Sequence, residues 1–241
     1  MIRVREYPPL YLLDESCLFP DPRQIGNEDL VAVGGDLCPE RLIKAYCQGI
    51  FPWFIEEGLV YWFSPDPRLV IFPGKLKISK SLAKNLRNGR FDVRMDTDFC
   101  GVIRHCAGIK RKGEDGTWIS EEFVDGFCAL HEMGVAHSFE TYHEGRLVGG
   151  LYGLHIGNAF FGESMFSEMS DASKVALVHL ERYCRDQGIH FIDCQVTTAH
   201  LLRMGGEEIP REEYYDLVRE AVDKPVRLSH SLHEKVSNKA I

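Results

Sequence analysis

From Val135 onward the pattern changes to strands punctuated by turn formers, and this run limits the fold more than any other feature of the chain. Residues 136–143 read as a strand, Glu144-Gly145 as a turn, 147–155 as a second strand, Gly157-Asn158 as another turn and 159–163 as a third strand. Ser170-Asp171 then caps a helix with its body over 174–187, and Gly188 closes it as a left-handed cap. Residues 190–196 return as a strand, and a helix over 211–222 follows the turn formers Gly205-Gly206 and Pro210. The order β-β-β-α-β-α requires an antiparallel meander whose helix crosses to a parallel fourth strand. Right-handed crossover places that strand beside the third.

Three polar residues stand on segments otherwise built for burial: Glu163 in the third strand, Asp193 and Gln195 in the fourth. Burying such a group without partners costs ~1–3 kcal/mol, so each must be hydrogen-bonded or used. Glu163 and Asp193 fall near the ends of neighbouring strands, where active sites of open sheets gather.

The N-terminal part is rich in turn formers: Phe19-Pro20-Asp21-Pro22, Gly34-Gly35-Asp36, Phe51-Pro52-Trp53-Phe54 and Ser64-Pro65-Asp66-Pro67-Arg68. Between them a helix is predicted over 39–48, ended by Gly49, with Leu42, Ile43, Ala45 and Tyr46 on its buried face. Residues 69–78 alternate enough for a short strand or two, and 79–133 read as mainly helical, with Ser79 or Ser81 starting a helix and Gly134 ending another. Gly113 to Gly116 form a charged loop leading to Trp118, which is either a core anchor or a stacking surface. The division expected is a small α+β unit over 1–70 and a larger unit over 71–241.

A chain of 241 residues with 44% hydrophobic content buries a substantial core. The first residues carry two arginines but no long apolar run, so neither a signal peptide nor a membrane span is expected, and a soluble cytoplasmic protein is. Eight cysteines without a CxxC pair read as reduced core thiols. Cys100, His105 and Cys106 lack a second ligand pair of matching spacing, so no metal is expected. The net charge of −8 argues against coating nucleic acid non-specifically. One stretch, 75–90, is nevertheless basic and free of acids, with Lys80, Lys84 and Arg87 at i, i+4 and i+7 on one helical face. That is either a solvated surface or a site for one shaped polyanion.

The meander and crossover resemble the catalytic half of acetyltransferase-like N-acyltransferases. Such enzymes hold coenzyme A through a glycine-rich turn between strand and helix, whose amides cradle the pyrophosphate. Here that segment, Met165-Phe166-Ser167-Glu168-Met169-Ser170-Asp171, has no glycine and carries two acids. Coenzyme A is therefore not expected as the donor, and no cofactor is expected. Phe160, Phe161, Met165, Phe166 and Met169 are ordinary core or the wall of a cavity for a bulky apolar or aromatic side chain.

Gly34-Gly35-Asp36-Leu37, Ala45-Tyr46, Gly49-Ile50-Phe51-Pro52-Trp53-Phe54, Trp62-Phe63-Ser64-Pro65-Asp66-Pro67-Arg68, Gly116-Thr117-Trp118-Ile119, Gly162-Glu163-Ser164-Met165-Phe166-Ser167, Ala172-Ser173-Lys174 and Ile192-Asp193-Cys194-Gln195 together resemble the bacterial leucyl/phenylalanyl-tRNA–protein transferase family. Each motif alone is weak; their order and spacing from about residue 19 to 215 make the set specific. The resemblance implies transfer of Leu or Phe, and less readily Met, from aminoacyl-tRNA to proteins beginning with Arg or Lys, whose products enter the N-degron pathway. It implies an α+β fold in which a small N-terminal domain packs on an acetyltransferase-like (GNAT-like) domain with a mixed, mostly antiparallel sheet.

By position, the resemblance assigns Asp193 and Gln195 to the catalytic pair and Glu163 to the carboxylate beside them. Leu151, Phe160, Met165, Leu180 and Ile192 fall at positions of the aminoacyl side-chain pocket, with Leu151 and Leu180 where the best-known member has Met and Phe. Tyr46, Trp53 and Trp118 match positions around the terminal adenosine, where stacking on a base contributes ~1–3 kcal/mol; the alternative for Trp53 is a plug between domains. Lys80, Lys84 and Arg87 are the expected tRNA contacts. His137, His143 and His200 have no obvious partner in sequence and read as structural, and Ser173-Lys174 lacks an oxyanion loop. A coenzyme A-dependent acetyltransferase and a non-catalytic RNA-binding module are the rival readings, and a monomer is the default.

Overall fold

The computed structural model describes residues 1–5, 10–109 and 119–223. Strands β1 (Ile2–Arg5), β2 (Leu10–Leu13), β3 (Leu30–Gly34), β4 (Phe51–Glu56) and β5 (Leu59–Phe63) form one sheet in the order β1-β2-β3-β5-β4. Helix α1 (Pro39–Tyr46) joins β3 to β4, with Pro39 in its first turn, where a missing N–H does no harm. Leu42, Ala45 and Tyr46 are buried on the face expected, while Ile43 is half-buried.

The second sheet contains β6 (Arg68–Ile71), β7 (Asp92–Met95), β8 (Ala136–His143), β9 (Arg146–Ile156), β10 (Ala159–Ser167), β11 (Phe191–Gln195) and β12 (Glu207–Ile209), in the order β12-β6-β11-β10-β9-β8-β7. Strands β8, β9 and β10 are the antiparallel meander. Helix α5 (Ala172–Gln187) crosses over, and β11 lies parallel to β10; the other pairings of this sheet are antiparallel. Gly188 takes φ +69°, and behind it Ile189 N donates to the Cys184 carbonyl at 2.8 Å, which closes the helix. The remaining helices are α2 (Lys80–Arg87), α3 (Phe99–Gly108), α4 (Glu121–Glu132), α6 (Ala199–Arg203) and α7 (Arg211–Val222).

Several local expectations are corrected. Phe51-Pro52-Trp53-Phe54 is strand β4, not a turn; it lies at a sheet edge, where proline removes no ladder bond that a neighbour needs. The mainly helical reading of 79–133 missed β7, an edge strand of four residues, too short to display a period. The turn formers after Gly205 include β12, three residues that add to the edge of β6, and α6 precedes them. The third strand runs beyond Glu163 to Ser167, and the strand expected over 69–78 ends at Ile71. The expected boundary between 70 and 71 falls inside β6, which pairs with β11 and β12 in the larger sheet. Cys100 and Cys128 are not free thiols: packing of α3 against α4 brings their Cα atoms to 6.0 Å and a disulfide joins them. Their separation of 28 positions gave no local signature.

One apolar core runs through both units, linking Trp62 and Tyr46 to Phe161, Phe191 and Tyr214; a second, on the opposite face, packs α5 and Leu82 of α2 on the larger sheet. Arg211 ties the units together at the polar edge of their junction. It is 6% exposed, and its guanidinium donates to the carbonyls of Glu28 at 2.7 Å, Ser64 at 2.9 Å and Gly26. Its backbone N–H donates to Asp66 Oδ1 at 3.0 Å, beside the cis Asp66-Pro67 bond. Arg211→Ala leaves these carbonyls without their partner, an expected loss of about 3 kcal/mol. The thermal midpoint should fall by roughly 6–12 °C; an unchanged midpoint would show that the junction does not depend on Arg211.

Candidate active site

Strands β10 and β11 pair through Ala159–Phe191, Phe160–Ile192 and Phe161–Asp193, and no further pair follows. Beyond that point two irregularities re-aim the side chains. The pairing of β10 with β9 shifts between Gly162 and Ser164, leaving Glu163 as the extra residue. The pairing of β11 with β6 shifts between Asp193 and Gln195, where Cys194 is extra and Gln195 takes φ +61°. A left-handed residue other than glycine is strained by ~1 kcal/mol or more and persists only where its surroundings hold it. Here the Gln195 N–H donates to Asp193 Oδ1 at 2.9 Å, closing a turn through the Asp193 side chain.

These shifts bring Glu163 and Gln195 together. Gln195 Nε2 donates to Glu163 Oε1 at 2.7 Å, and the Tyr46 hydroxyl, arriving from α1, donates to the same oxygen at 2.6 Å. Glu163 Oε2 is shielded from solvent and has no hydrogen-bond partner among the described residues. Burial pushes the Glu163 carboxyl up to about 8; the hydrogen bonds from Tyr46 and Gln195 and the Arg68 charge oppose the rise, and the Asp193 charge adds to it. Tyr46 titrates well above an ordinary phenol, through burial and then the neighbouring Glu163 charge.

Asp193 lies below this pair with no exposed surface. Arg68 grips it with two bonds, Nε to Oδ1 at 2.9 Å and an Nη to Oδ2 at 2.7 Å, and the Tyr214 hydroxyl donates to Oδ2 at 2.8 Å. Burial alone would lower the Arg68 pKa, but Asp193 holds it above its ordinary value. Neither Arg68 nor Tyr214 was singled out from sequence as a site residue. The available signal was an arginine directly before the apolar Leu69-Val70-Ile71, where a buried cation needs a buried anion.

Above Glu163 and Gln195 opens a cleft of about 490 Å³ at the junction of the two sheets. Of the residues expected at the site, Trp53, Leu151, Glu163, Met165, Leu180, Ile192 and Gln195 line it. Phe160 does not: it is fully buried behind the wall, with its ring centre 6.5 Å from that of Phe139. Tyr46 has no exposed face for stacking and instead supports Glu163 from below. Trp118 and the cluster 110–112 lie outside the described residues. Phe51, Pro52, Tyr152, Leu177 and Leu201 add apolar wall that sequence reasoning missed, Phe51, Pro52 and Leu201 because the strand nature of β4 and helix α6 went unread.

His137 and His143 have structural partners, Asp96 Oδ2 at 2.7 Å and the Arg90 carbonyl at 3.0 Å, whereas His200 lines the cleft. Lys174 is paired with Asp171 at 2.6 Å. Lys80, Lys84 and Arg87 share the solvent side of α2, opposite the buried Leu82, and Ser79 caps the helix by accepting from Leu82 N at 3.2 Å. Among the described residues, no group of three or more His, Cys, Asp or Glu could hold a metal ion, and no helix is long and apolar enough to cross a membrane.

A carboxyl poised near neutrality, an amide bound to it and an apolar cleft above them suit acyl transfer, and comparison with known proteins agrees. The family described as leucyl/phenylalanyl-tRNA protein transferase matches residues 70–219, and the description of its N-terminal domain matches 35–66. The leucyl/phenylalanyl-tRNA–protein transferase of Nitrosospira multiformis is 52% identical over 213 residues, covering 88% of this chain and 91% of the relative. That of Nitrosomonas europaea is 57% identical over 198 residues, covering 81% and 84%. Among solved structures, L-PGS from Bacillus licheniformis is 12% identical with a TM-score of 0.35, covering 70% of this chain and 54% of that one. On the sequence matches, the chain is a transferase and belongs to the leucyl/phenylalanyl-tRNA protein transferase family.

Proposed function

We propose that the chain moves Leu or Phe, and less readily Met, from aminoacyl-tRNA to the α-amine of an acceptor protein that begins with Arg or Lys. The reaction is aminolysis of the aminoacyl ester, it runs in the cytoplasm where charged tRNA is found, and its product feeds the N-degron pathway. The observation that carries this reading is the Glu163–Gln195 hydrogen bond at the floor of an apolar cleft lined by Leu151, Met165, Leu180 and Ile192. Such walls take a large side chain that is unbranched at Cβ or aromatic, and methionine adapts to more than one shape.

In the transfer the amine nitrogen attacks the ester carbonyl, a C–N bond forms, the C–O bond to the ribose breaks, nitrogen loses a proton and the ribose oxygen gains one. Because Gln195 Nε2 is committed to Glu163, the amide oxygen is left to accept from the incoming amine and hold it at attack distance. A free α-amine has a pKa of ~7.7–8.0. A Glu163 carboxyl at about 8 exchanges a proton with it at little energetic cost in either direction. Glu163 takes the proton as the bond forms and supports its return to the ribose oxygen, with Gln195 positioning rather than abstracting. The exposed Lys80, Lys84 and Arg87 meet the tRNA body, which an acidic chain needs at one confined place.

The test is transfer of labelled Phe from charged tRNA to a peptide beginning with Arg; no transfer, or acetyl transfer from acetyl coenzyme A instead, would overturn the reading. Glu163→Gln should slow single-turnover transfer by about 10²-fold or more. The same variant checks the raised carboxyl independently of activity. The folded protein holds the Glu163 proton more tightly than the unfolded chain, so between ~4.3, the ordinary value, and about 8 the wild type loses stability as pH rises. The midpoint of Glu163→Gln minus that of wild type should therefore grow between pH 5 and 8, and a flat difference would contradict it. Replacing Lys80 and Lys84 by Glu should raise the KM for aminoacyl-tRNA and spare a minimal aminoacyl-adenosine donor. Equal loss with both donors would remove the tRNA role of α2.

A further inference from the structure

Asp193 has no room for substrate. An ionised carboxylate offers about four acceptor positions, and four donors occupy this one: Arg68 Nε and Gln195 N on Oδ1, an Arg68 Nη and the Tyr214 hydroxyl on Oδ2. It is also fully buried, so it touches neither the amine nor the ester. Its one link to the reacting groups is the bond from the Gln195 backbone amide, and that bond holds the residue whose φ is +61°.

We infer that Arg68 and Tyr214 are positioning residues of the transfer reaction, acting through Asp193 to lock the Gln195 backbone so that its side chain stays between Glu163 and the acceptor amine. This rests on the reading of Gln195 given above. The lock is built from three elements, β6, β11 and α7, and Arg68 shares Oδ1 with the Gln195 amide, so any shift of the guanidinium moves the acceptor of that amide. The guanidinium is itself clamped, its carbon 4.9 Å from the Phe51 ring centre and 4.4 Å from that of Tyr214. Tyr214 also offers its oxygen to the Arg68 Nη at 3.1 Å, so the phenol bridges cation and anion. Tyr214→Phe removes this bridge while keeping the ring, its packing and the clamp. Without it the carboxylate can turn, the amide loses its fixed acceptor, and Gln195 can relax toward a negative φ that carries its side chain away from Glu163.

The experiment compares Tyr214→Phe and Arg68→Lys with wild type in steady-state transfer from Phe-tRNA to an Arg-starting peptide, alone and combined with Gln195→Ala. Losing one hydrogen bond to a charged group is expected to lower kcat by about tenfold for Tyr214→Phe, with the KM for Phe-tRNA within about twofold of wild type. In the Gln195→Ala background the same substitution should add no further loss. The Gln195 amide signal, followed by ¹⁵N NMR, should move and exchange faster with solvent in Tyr214→Phe. Wild-type kcat in Tyr214→Phe, or a full additional loss on top of Gln195→Ala, would overturn the inference, because a merely structural residue weakens both backgrounds alike. If Arg68→Lys lowers the thermal midpoint too far for kinetics, Tyr214→Phe decides alone. Absence of transfer by wild type would instead overturn the proposed function, and the Gln195 amide signal would still report whether the lock exists.

Discussion

Strands β10 and β11 stay hydrogen-bonded only as far as Phe161 and Asp193, and the site depends on where they part. Parallel strands that stayed paired would occupy their backbone groups and point successive side chains to alternating faces. Separation, together with the register shifts at Glu163 and Cys194, turns Glu163 and Gln195 toward each other across the gap. The walls follow from the same opening: β9 and α5 supply aliphatic side chains on one side, and β4 of the other sheet brings Phe51, Pro52 and Trp53. The N-terminal unit is thus part of the site, since α1 also supplies the Tyr46 hydroxyl on Glu163.

The two carboxyls below the cleft differ in environment. Asp193 faces a guanidinium with two-point geometry and a phenol, the kind of full pairing that lets a charge remain buried. Glu163 accepts from two neutral donors and keeps one oxygen without a partner among the described residues, so burial dominates and its carboxyl is held near neutrality. One acid is fully occupied by its donors as scaffold; the other is left able to exchange a proton. Acid–base assignments in enzymes commonly rest on such a separation of environments.

The meander, the crossing helix and the parallel fourth strand were legible because Glu144-Gly145 and Gly157-Asn158 punctuate strands that are buried at nearly every position, and Gly188 marked the end of α5. Glu163 and Gln195 were legible as polar residues on apolar strands. Short edge strands were not, since β7 and β12 carry four and three residues. Nor was the partnership beneath the site: Arg68 and Asp193 lie 125 positions apart, and no local rule connects a residue after a Pro-rich turn with one in a later strand. The Cys100–Cys128 bridge was hidden for the same reason, because helix packing decides which thiols meet. Tyr46 was legible as buried on α1, but that its hydroxyl ends on Glu163 follows only from how the two units pack.

The central claim is that the Glu163 carboxyl, hydrogen-bonded to Gln195 and Tyr46, is poised to exchange a proton near neutral pH. Direct titration of that carboxyl by ¹³C NMR on protein labelled at glutamate, with Glu163→Gln identifying the signal, measures this without reference to turnover. A midpoint near 8 is the expected result. A midpoint near the ordinary glutamate value of ~4.3 would mean that Glu163 is a plain carboxylate at neutral pH and that the proposed proton exchange with the amine does not occur there.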